Sequence, residues 1–119
     1  MSQITRIKGS HRAASLVIAG AAVTTSGLVA TAEDAVDIRT QTRSVLSQAE
    51  ALFSRAGLRK SDITRVQIWL ADMADFPAMN EIYDAWVDPE HAPVRACVGA
   101  ALANKHYLIE IQVYGYQPD

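Results

Sequence analysis

Three side chains in the C-terminal quarter of the chain could do chemistry together. Arg95 and Cys97 lie two residues apart in the apolar run "HAPVRACVGA", and Glu110 interrupts a second apolar run, "YLIEIQVYGY". The planar guanidinium of arginine binds a carboxylate through two parallel hydrogen bonds and keeps its charge at any working pH. A glutamate beside a water molecule can act as a general acid or base. These residues indicate a pocket that anchors a small carboxylate and hydrates a neighbouring polarised carbon.

The same residues also have a structural interpretation. If the two apolar runs form neighbouring strands, Arg95 and Glu110 can pair across them and neutralise each other at an interface. Spacing alone favours this salt bridge over a ligand site, so both interpretations stay open at this point.

Alternation and short apolar runs predict the strands that carry these side chains. Residues 15–19 and 21–25 form two runs separated by Gly20, which is typical of paired strands. Polar and apolar residues alternate over 65–70, and two further strands are predicted over 94–100 and 107–116.

Apolar residues at helical spacing predict two helices. The first begins after Asp34 or Asp37, either of which can cap it, and ends at Gly57. The second begins after a cap at Asp75, and Pro77 falls in its first turn, where a missing N–H costs nothing.

The order of elements predicts one α+β domain over residues 1–119, with two helices on one face of a mixed sheet of about six strands. A period of two then puts Arg95, Cys97 and Glu110 together on the sheet face away from the helices. Such an amphipathic face suits contact with another subunit around a polar pocket. The aliphatic residues expected to face the helices are Val66, Ile68, Leu70, Val94, Ala96, Val98, Ile109, Ile111 and Val113.

Composition narrows the classes of function. The net charge is −2 and no cluster of lysine and arginine stands out, which disfavours binding to nucleic acid through its phosphates. The single cysteine, Cys97, cannot form an internal disulfide, which fits a reducing compartment. His11, His91 and His106 lie far apart without metal-ligand spacing, so no metal site is expected.

The N-terminus imitates a secretory signal peptide. Arg6 and Lys8 precede the apolar stretch "ASLVIAGAAV", and "LVATAED" offers a small-residue cleavage pattern. The apolar stretch is shorter than the roughly 20 residues that a membrane span needs, and Gly20 interrupts it as in a hairpin. We therefore expect a cytoplasmic protein with no membrane association.

Three stretches, "DFPAMNEIYDAWV", "HAPVRACVGAAL" and "YLIEIQVYGY", resemble the C-terminal half of the Rid proteins, the reactive-intermediate or imine deaminases also called YjgF-like. The sequence of these motifs is closest to the YoaB-like branch, and the resemblance is strong from about Ile63 to Tyr116. It implies a chorismate-mutase-like fold that assembles as a homotrimer with pockets between subunits.

The resemblance also implies roles for individual residues. Arg95 matches the arginine that binds the substrate carboxylate, and Cys97 matches the cysteine whose backbone lines the pocket. Glu110 matches the glutamate that places or activates water. Ser26 and Gly27 resemble, less closely, the Ser-Gly pair that follows the third strand in the family, which implies a part in substrate binding.

The implied reaction is hydrolysis of small 2-imino or enamine acids to 2-oxo acids and ammonia, without a metal or an organic cofactor. The sequence departs from the family where "GSHRAAS" replaces the Gly-Pro-Tyr-Ser signature, so no tyrosine is available there to cover the substrate. Two alternatives stay open. One is a non-catalytic regulatory or interaction protein that binds small carboxylates, and the other is a specialised hydrolase of aminoacrylate-type intermediates.

Overall fold

The computed structural model describes residues 3–118, which form a seven-stranded mixed sheet with two helices on one face. This confirms the predicted α+β class. The strands are β1 (Ile4–Ile7), β2 (Leu16–Ala19), β3 (Ala22–Thr25), β4 (Leu28–Val29), β5 (Ile63–Leu70), β6 (Val94–Gly99) and β7 (Ile109–Tyr116), and the helices are α1 (Ile38–Arg55) and α2 (Phe76–Trp86). β1 and β4 were not predicted from the sequence, because β1 is largely exposed and β4 has only two residues.

The strand order across the sheet is β1-β2-β3-β7-β5-β6, and β4 pairs with β7 beyond the end of β3. Helix α2 connects β5 to β6, which lie side by side and parallel. A parallel pair needs such a crossover, whereas antiparallel strands can be joined by a tight turn. β7 then returns antiparallel between β3 and β5. β6 is therefore an edge strand, and β5 separates it from β7.

The ends of α1 follow the capping chemistry in its sequence. Of the two predicted caps, Asp37 is the one used, and its carboxylate accepts a hydrogen bond from the backbone N–H of Thr40 at 2.8 Å. Asp34 lies instead in a short 3-10 turn. Gly57 follows the helix with φ +78°, a left-handed conformation that glycine adopts without steric cost.

Helix α2 begins where predicted, with Pro77 in its first turn, but its cap differs from our prediction. The side chain of Asp75 makes no capping hydrogen bond. A 3-10 turn precedes the helix without a break, and Asp72 caps that turn by accepting from the backbone N–H of Ala74 at 2.9 Å. The first free N–H groups of the combined segment thus belong to the turn.

The core lies between the sheet and the helices, and β5 and β7 supply it as the alternation predicted. The prediction for β6 is wrong. Val94 and Val98 are 69% and 47% exposed, whereas Arg95 and Cys97 are half-buried on the helix side. Arg95 lies directly opposite Val66 of β5, and opposite residues of paired strands point to the same face. At the sheet edge, an aliphatic stripe does not have to face the core.

The apolar stretch that imitates a signal peptide is folded into the sheet as the hairpin of β2 and β3. Gly20 occupies its turn with φ +63°, and Leu16 and Val23 are fully buried in the core. In the part of the chain that the structure describes, neither helix has the length and apolarity required to cross a membrane.

The packing of β7 against α1 predicts a difference between two glycines. A methyl group at Gly115 would lie 2.5 Å from the Phe53 ring and 2.6 Å from the backbone oxygen of Asp62. Gly115→Ala should therefore lower the free energy of unfolding by about 1–3 kcal/mol through overpacking. Gly99→Ala is the matched control. Its new methyl would lie 3.2 Å from the flexible side chain of Met73, and the backbone oxygen of Leu70 would be at an ordinary contact distance of 3.8 Å. Urea denaturation at one protein concentration measures both, and equal losses would contradict this account.

Candidate functional site

Arg95 lies against α2 rather than on the open face of the sheet. Its Nη1 group donates a hydrogen bond to Oδ1 of Asn80 at 2.8 Å. The guanidinium carbon is 4.6 Å from the centre of the Tyr83 ring and 5.7 Å from that of Phe76, distances typical of cation–π contacts. We call Arg95, Cys97, Phe76, Asn80 and Tyr83 the arginine cluster.

Within residues 3–118, Arg95 forms no ion pair with a carboxylate. This contradicts the salt bridge between Arg95 and Glu110 that spacing alone favoured. A half-buried cation that is balanced only by an amide oxygen and aromatic faces retains its attraction for an anion. The ion pairs in this part of the chain are Arg39–Glu81, Arg59–Asp62 and, when the histidine is protonated, His91–Asp88.

Cys97 lies two residues after Arg95 on the same side of β6 and is half-buried. Burial raises the pKa of the Cys97 thiol, and the positive charge of Arg95 offsets this only in part. A thiol with a raised pKa is mostly protonated near neutral pH and is a poor nucleophile. This environment favours the predicted pocket-lining role over covalent catalysis.

Glu110 lies in a second cluster, with Ser26 and Gly27. Val29 of β4 is the partner of Glu110 in the β7 ladder, so Gly27 falls beside the glutamate side chain. A side chain at Gly27 would overlap the Oε2 atom of Glu110, so glycine leaves the space that this carboxylate occupies. We call Ser26, Gly27 and Glu110 the glutamate cluster.

The joint between β3 and β4 positions the glutamate cluster. β3 ends at Thr25, whose hydroxyl donates to the carbonyl of Ser26 at 2.8 Å and accepts from the backbone N–H of Val113 at 3.1 Å. The Ser26 N–H donates in turn to the carbonyl of Ser15 at 3.0 Å. These bonds hold residues 26–27 against β7 where the regular ladder is interrupted, with Gly27 beside the side chain of Glu110.

The two clusters lie on opposite faces of the sheet. Trp69 of β5 is paired with Glu110 on one side and with Val98 on the other, so these three side chains share the open face. Arg95 is paired with buried Val66 and points to the helix face. The prediction that Arg95, Cys97 and Glu110 share a face is therefore wrong, and so is the assumption that their strands are adjacent. Alternation shows which residues of one strand share a face, but not which face that is.

Sequence reasoning did not assign a site role to the α2 residues that surround Arg95. Phe76, Asn80 and Tyr83 recur at positions i, i+4 and i+7 and so follow one face of the helix. Both aromatic residues fit the apolar spacing that predicts α2, so their residue types alone do not indicate a site. The available signal was Asn80, a polar residue on that otherwise apolar face.

Outside the two clusters, the described residues offer fewer groups that could bind or transform a ligand. No group of three or more histidine, cysteine or acidic side chains within the described residues could hold a metal ion. An open groove of about 400 Å³ lies between α1 and α2, and Leu46, Ile82 and Trp86 contribute to its lining. The lining of this groove includes no member of either cluster.

Comparison with known proteins gives a consistent result. The family model described as "Endoribonuclease L-PSP" matches residues 4–117. The "RutC family protein YoaB" of Escherichia coli (strain K12) is 47% identical over 73 residues, which are 61% of this chain and 64% of that relative. The "3-aminoacrylate deaminase RutC" of Acinetobacter baylyi is 41% identical over 75 residues, or 63% of this chain and 59% of that relative. The matched segment thus spans less than two thirds of either relative.

A solved structure extends the comparison to the fold. A member of the YjgF protein family from Neisseria meningitidis has a TM-score of 0.92 and 31% sequence identity, with coverage of 98% of this chain and 97% of that chain. The similarity includes the sheet and both helices, and it confirms the chorismate-mutase-like fold that the resemblance to Rid proteins implied.

The environment of Cys97 predicts a measurable titration. Its reaction with iodoacetamide should follow the thiolate, with a midpoint above that of free cysteine because burial raises the pKa. Arg95→Met removes the cation and keeps an unbranched apolar stem, so the midpoint should move to still higher pH. Arg95→Lys should restore most of the difference. A midpoint that is the same in all three proteins would show that Arg95 does not act on the thiol.

Proposed function

Because the chain belongs to the Endoribonuclease L-PSP family, which includes the YjgF and RutC proteins, we propose that it hydrolyses small 2-imino acids, or their enamine tautomers, to 2-oxo acids and ammonium. The resemblance to Rid proteins, with motifs closest to those of the YoaB-like branch, is confirmed at the level of the family. The observation that carries the proposed activity is Arg95, a half-buried cation without a carboxylate partner in the described chain.

The reaction divides naturally between the two clusters. Arg95 binds the carboxylate of the 2-iminium acid through two parallel hydrogen bonds and holds C2 in place. Glu110 accepts a proton from water as the water oxygen bonds to C2, and the π electrons of the C=N bond move to nitrogen. The proton then passes from Glu110 to the amine. As the C–N bond breaks, the hydroxyl on C2 loses its proton to Glu110 and becomes the C=O of the 2-oxo acid, and the released ammonia takes up that proton and leaves as ammonium. Each step uses only water and the side chains of this chain.

This division requires two copies of the chain. Arg95 and Glu110 lie on opposite faces of one sheet with β5 between their strands, so a small ligand touches both only where two molecules meet. The exposed Val94 and Val98 supply apolar surface on the open face at the sheet edge, which suits such a contact. We propose that β6 of one subunit packs beside the β3–β4 joint of the next. Repeated in a closed ring, this heterologous contact gives a homotrimer with three sites.

A second candidate function has one specific observation in its favour. The loop of residues 8–15 joins β1 to β2 and contains no tyrosine that could cover a bound substrate. A protein that retains the arginine cluster could bind 2-oxo or 2-imino acids as signals without turning them over. Cleavage of RNA, which the family's description names, finds less support in a chain of net charge −2.

Replacement of Arg95 tests the proposed activity. With 2-imino acids generated freshly by an amino-acid oxidase, semicarbazide traps the imine, and an active deaminase lowers the trapped yield. Arg95→Ala should abolish this effect, a loss of about 100-fold or more in kcat/KM, because the carboxylate loses a bidentate ionic partner. The assembly should remain folded, since Arg95 has no ion-pair partner in the described chain to leave unpaired.

The matched control is Arg43→Ala, which removes an exposed arginine from α1 and should leave the trapped yield as low as with the unaltered protein. If the unaltered protein does not lower the yield but binds 2-oxobutyrate, the sensor function replaces the enzyme. If Arg95→Ala dissociates the assembly, Arg95 is structural and the proposal fails.

Mixing of subunits tests whether the site is shared. Arg95→Ala and Glu110→Gln chains should each be inactive alone. After joint unfolding and refolding, about a quarter of the sites in a closed ring should pair an intact Arg95 with an intact Glu110 from a neighbour. Activity should recover to about that fraction of the unaltered protein. No recovery in mixed assemblies, verified by mass, would mean that both residues of each site come from one chain.

A further inference from the structure

The guanidinium of Arg95 uses one of its nitrogen atoms in a hydrogen bond within the chain and leaves the others for an anion. Nη1 donates to Oδ1 of Asn80, and no other acceptor within residues 3–118 takes a hydrogen bond from this guanidinium. A carboxylate needs two parallel N–H groups from one edge of the fork. Engagement of Nη1 leaves the edge formed by Nε and Nη2 for that purpose.

The ring of Tyr83 further restricts rotation of the guanidinium. Tyr83 is only 6% exposed, and its own position is set by burial and by a tilted contact with Trp86, whose ring centre is 5.7 Å away. The guanidinium carbon lies 4.6 Å from the centre of the Tyr83 ring. A cation beside a fixed aromatic ring and bonded at one end to a side chain of the same helix has little room to rotate.

The chemical identity of Asn80 matters more than its size. Its amide oxygen orients the fork but carries no net charge, so the positive charge of Arg95 remains available to a ligand. An aspartate at this position has nearly the same shape and would accept the same hydrogen bond. It would also neutralise Arg95 and compete with a substrate carboxylate.

We propose that Asn80 and Tyr83 are positioning residues for substrate binding, which orient Arg95 without neutralising it. The inference rests on the proposed function, in which Arg95 binds the carboxylate. Helix α2 then has a second role besides covering the sheet. Its side chains hold the guanidinium of Arg95, on the edge strand β6, in one orientation without neutralising its charge. Neither residue needs to touch the reacting atoms.

The test compares stability with ligand binding in matched variants, with 2-oxobutyrate as the probe in calorimetric titration. Asn80→Asp should keep or raise the denaturation midpoint, because the hydrogen bond becomes an ion pair. Its Kd for 2-oxobutyrate should nevertheless rise by about tenfold or more, because the new carboxylate competes for Arg95. Asn80→Ala should raise the Kd less, by roughly three- to tenfold, through lost orientation alone. In turnover, both changes should appear mainly in KM.

Two further variants separate the parts of the proposal. Tyr83→Leu removes the aromatic face beside the guanidinium and should bind 2-oxobutyrate more weakly than Tyr83→Phe, which keeps that face. The control Glu81→Gln changes the residue next to Asn80 on α2. It removes the ion pair of Glu81 with Arg39 of α1 and should leave the Kd unchanged.

The outcomes distinguish this inference from the function on which it rests. If Arg95→Ala binds 2-oxobutyrate normally, Arg95 is not the carboxylate anchor and the proposed function fails. If Arg95→Ala abolishes binding but Asn80→Asp binds like the unaltered protein, the proposed function stands and the role of Asn80 is overturned. An Asn80→Asp protein that loses stability and binding in parallel would also overturn it, since Asn80 would then be structural.

Discussion

The parallel pairing of β5 with β6 is the constraint on which the rest of the site depends. A parallel pair requires a crossover, and here the crossover is α2, so the helix necessarily covers the strand that follows it. The register then aligns Arg95 with Val66 and turns the arginine toward the helix. From this pairing follow the stacking of Arg95 on Tyr83, its hydrogen bond to Asn80 and the position of β6 at the sheet edge.

The return of β7 to the far side of β5 has an equally direct consequence. It places Glu110 among the side chains of the open face, beside the joint between β3 and β4, where Gly27 leaves room for the carboxylate. One chain thus presents a cation at one surface and a carboxylate at another. If they serve one reaction, assembly completes the site, and the apolar residues at the edge of β6 contribute both to association and to activity. Selection for either property would then act on the same surface.

The arginine cluster holds a half-buried cation that no carboxylate of the described chain neutralises. An unpaired half-buried cation is costly, and a nearby carboxylate would have reduced that cost. The described chain instead surrounds Arg95 with weaker partners, an amide oxygen and two aromatic rings. The same environment keeps Cys97 mostly protonated, because burial outweighs the effect of the neighbouring cation on the pKa of its thiol. Binding of an anion would reduce the electrostatic cost of the unpaired cation in the free protein.

The sequence by itself determined the local structure and the composition of the site. Periodicity predicted α1, α2, β5 and β7, Gly57 marked the end of a helix, and the arginine and glutamate motifs led to the correct family. Only the tertiary structure decided that β6 lies at the edge beside β5, and hence that Arg95 and Glu110 point to opposite faces. Alternation is a property of one strand and is unchanged when that strand is turned over. The facing of a strand is set by contacts distant in sequence, between β5, β6 and α2, and no local pattern records them.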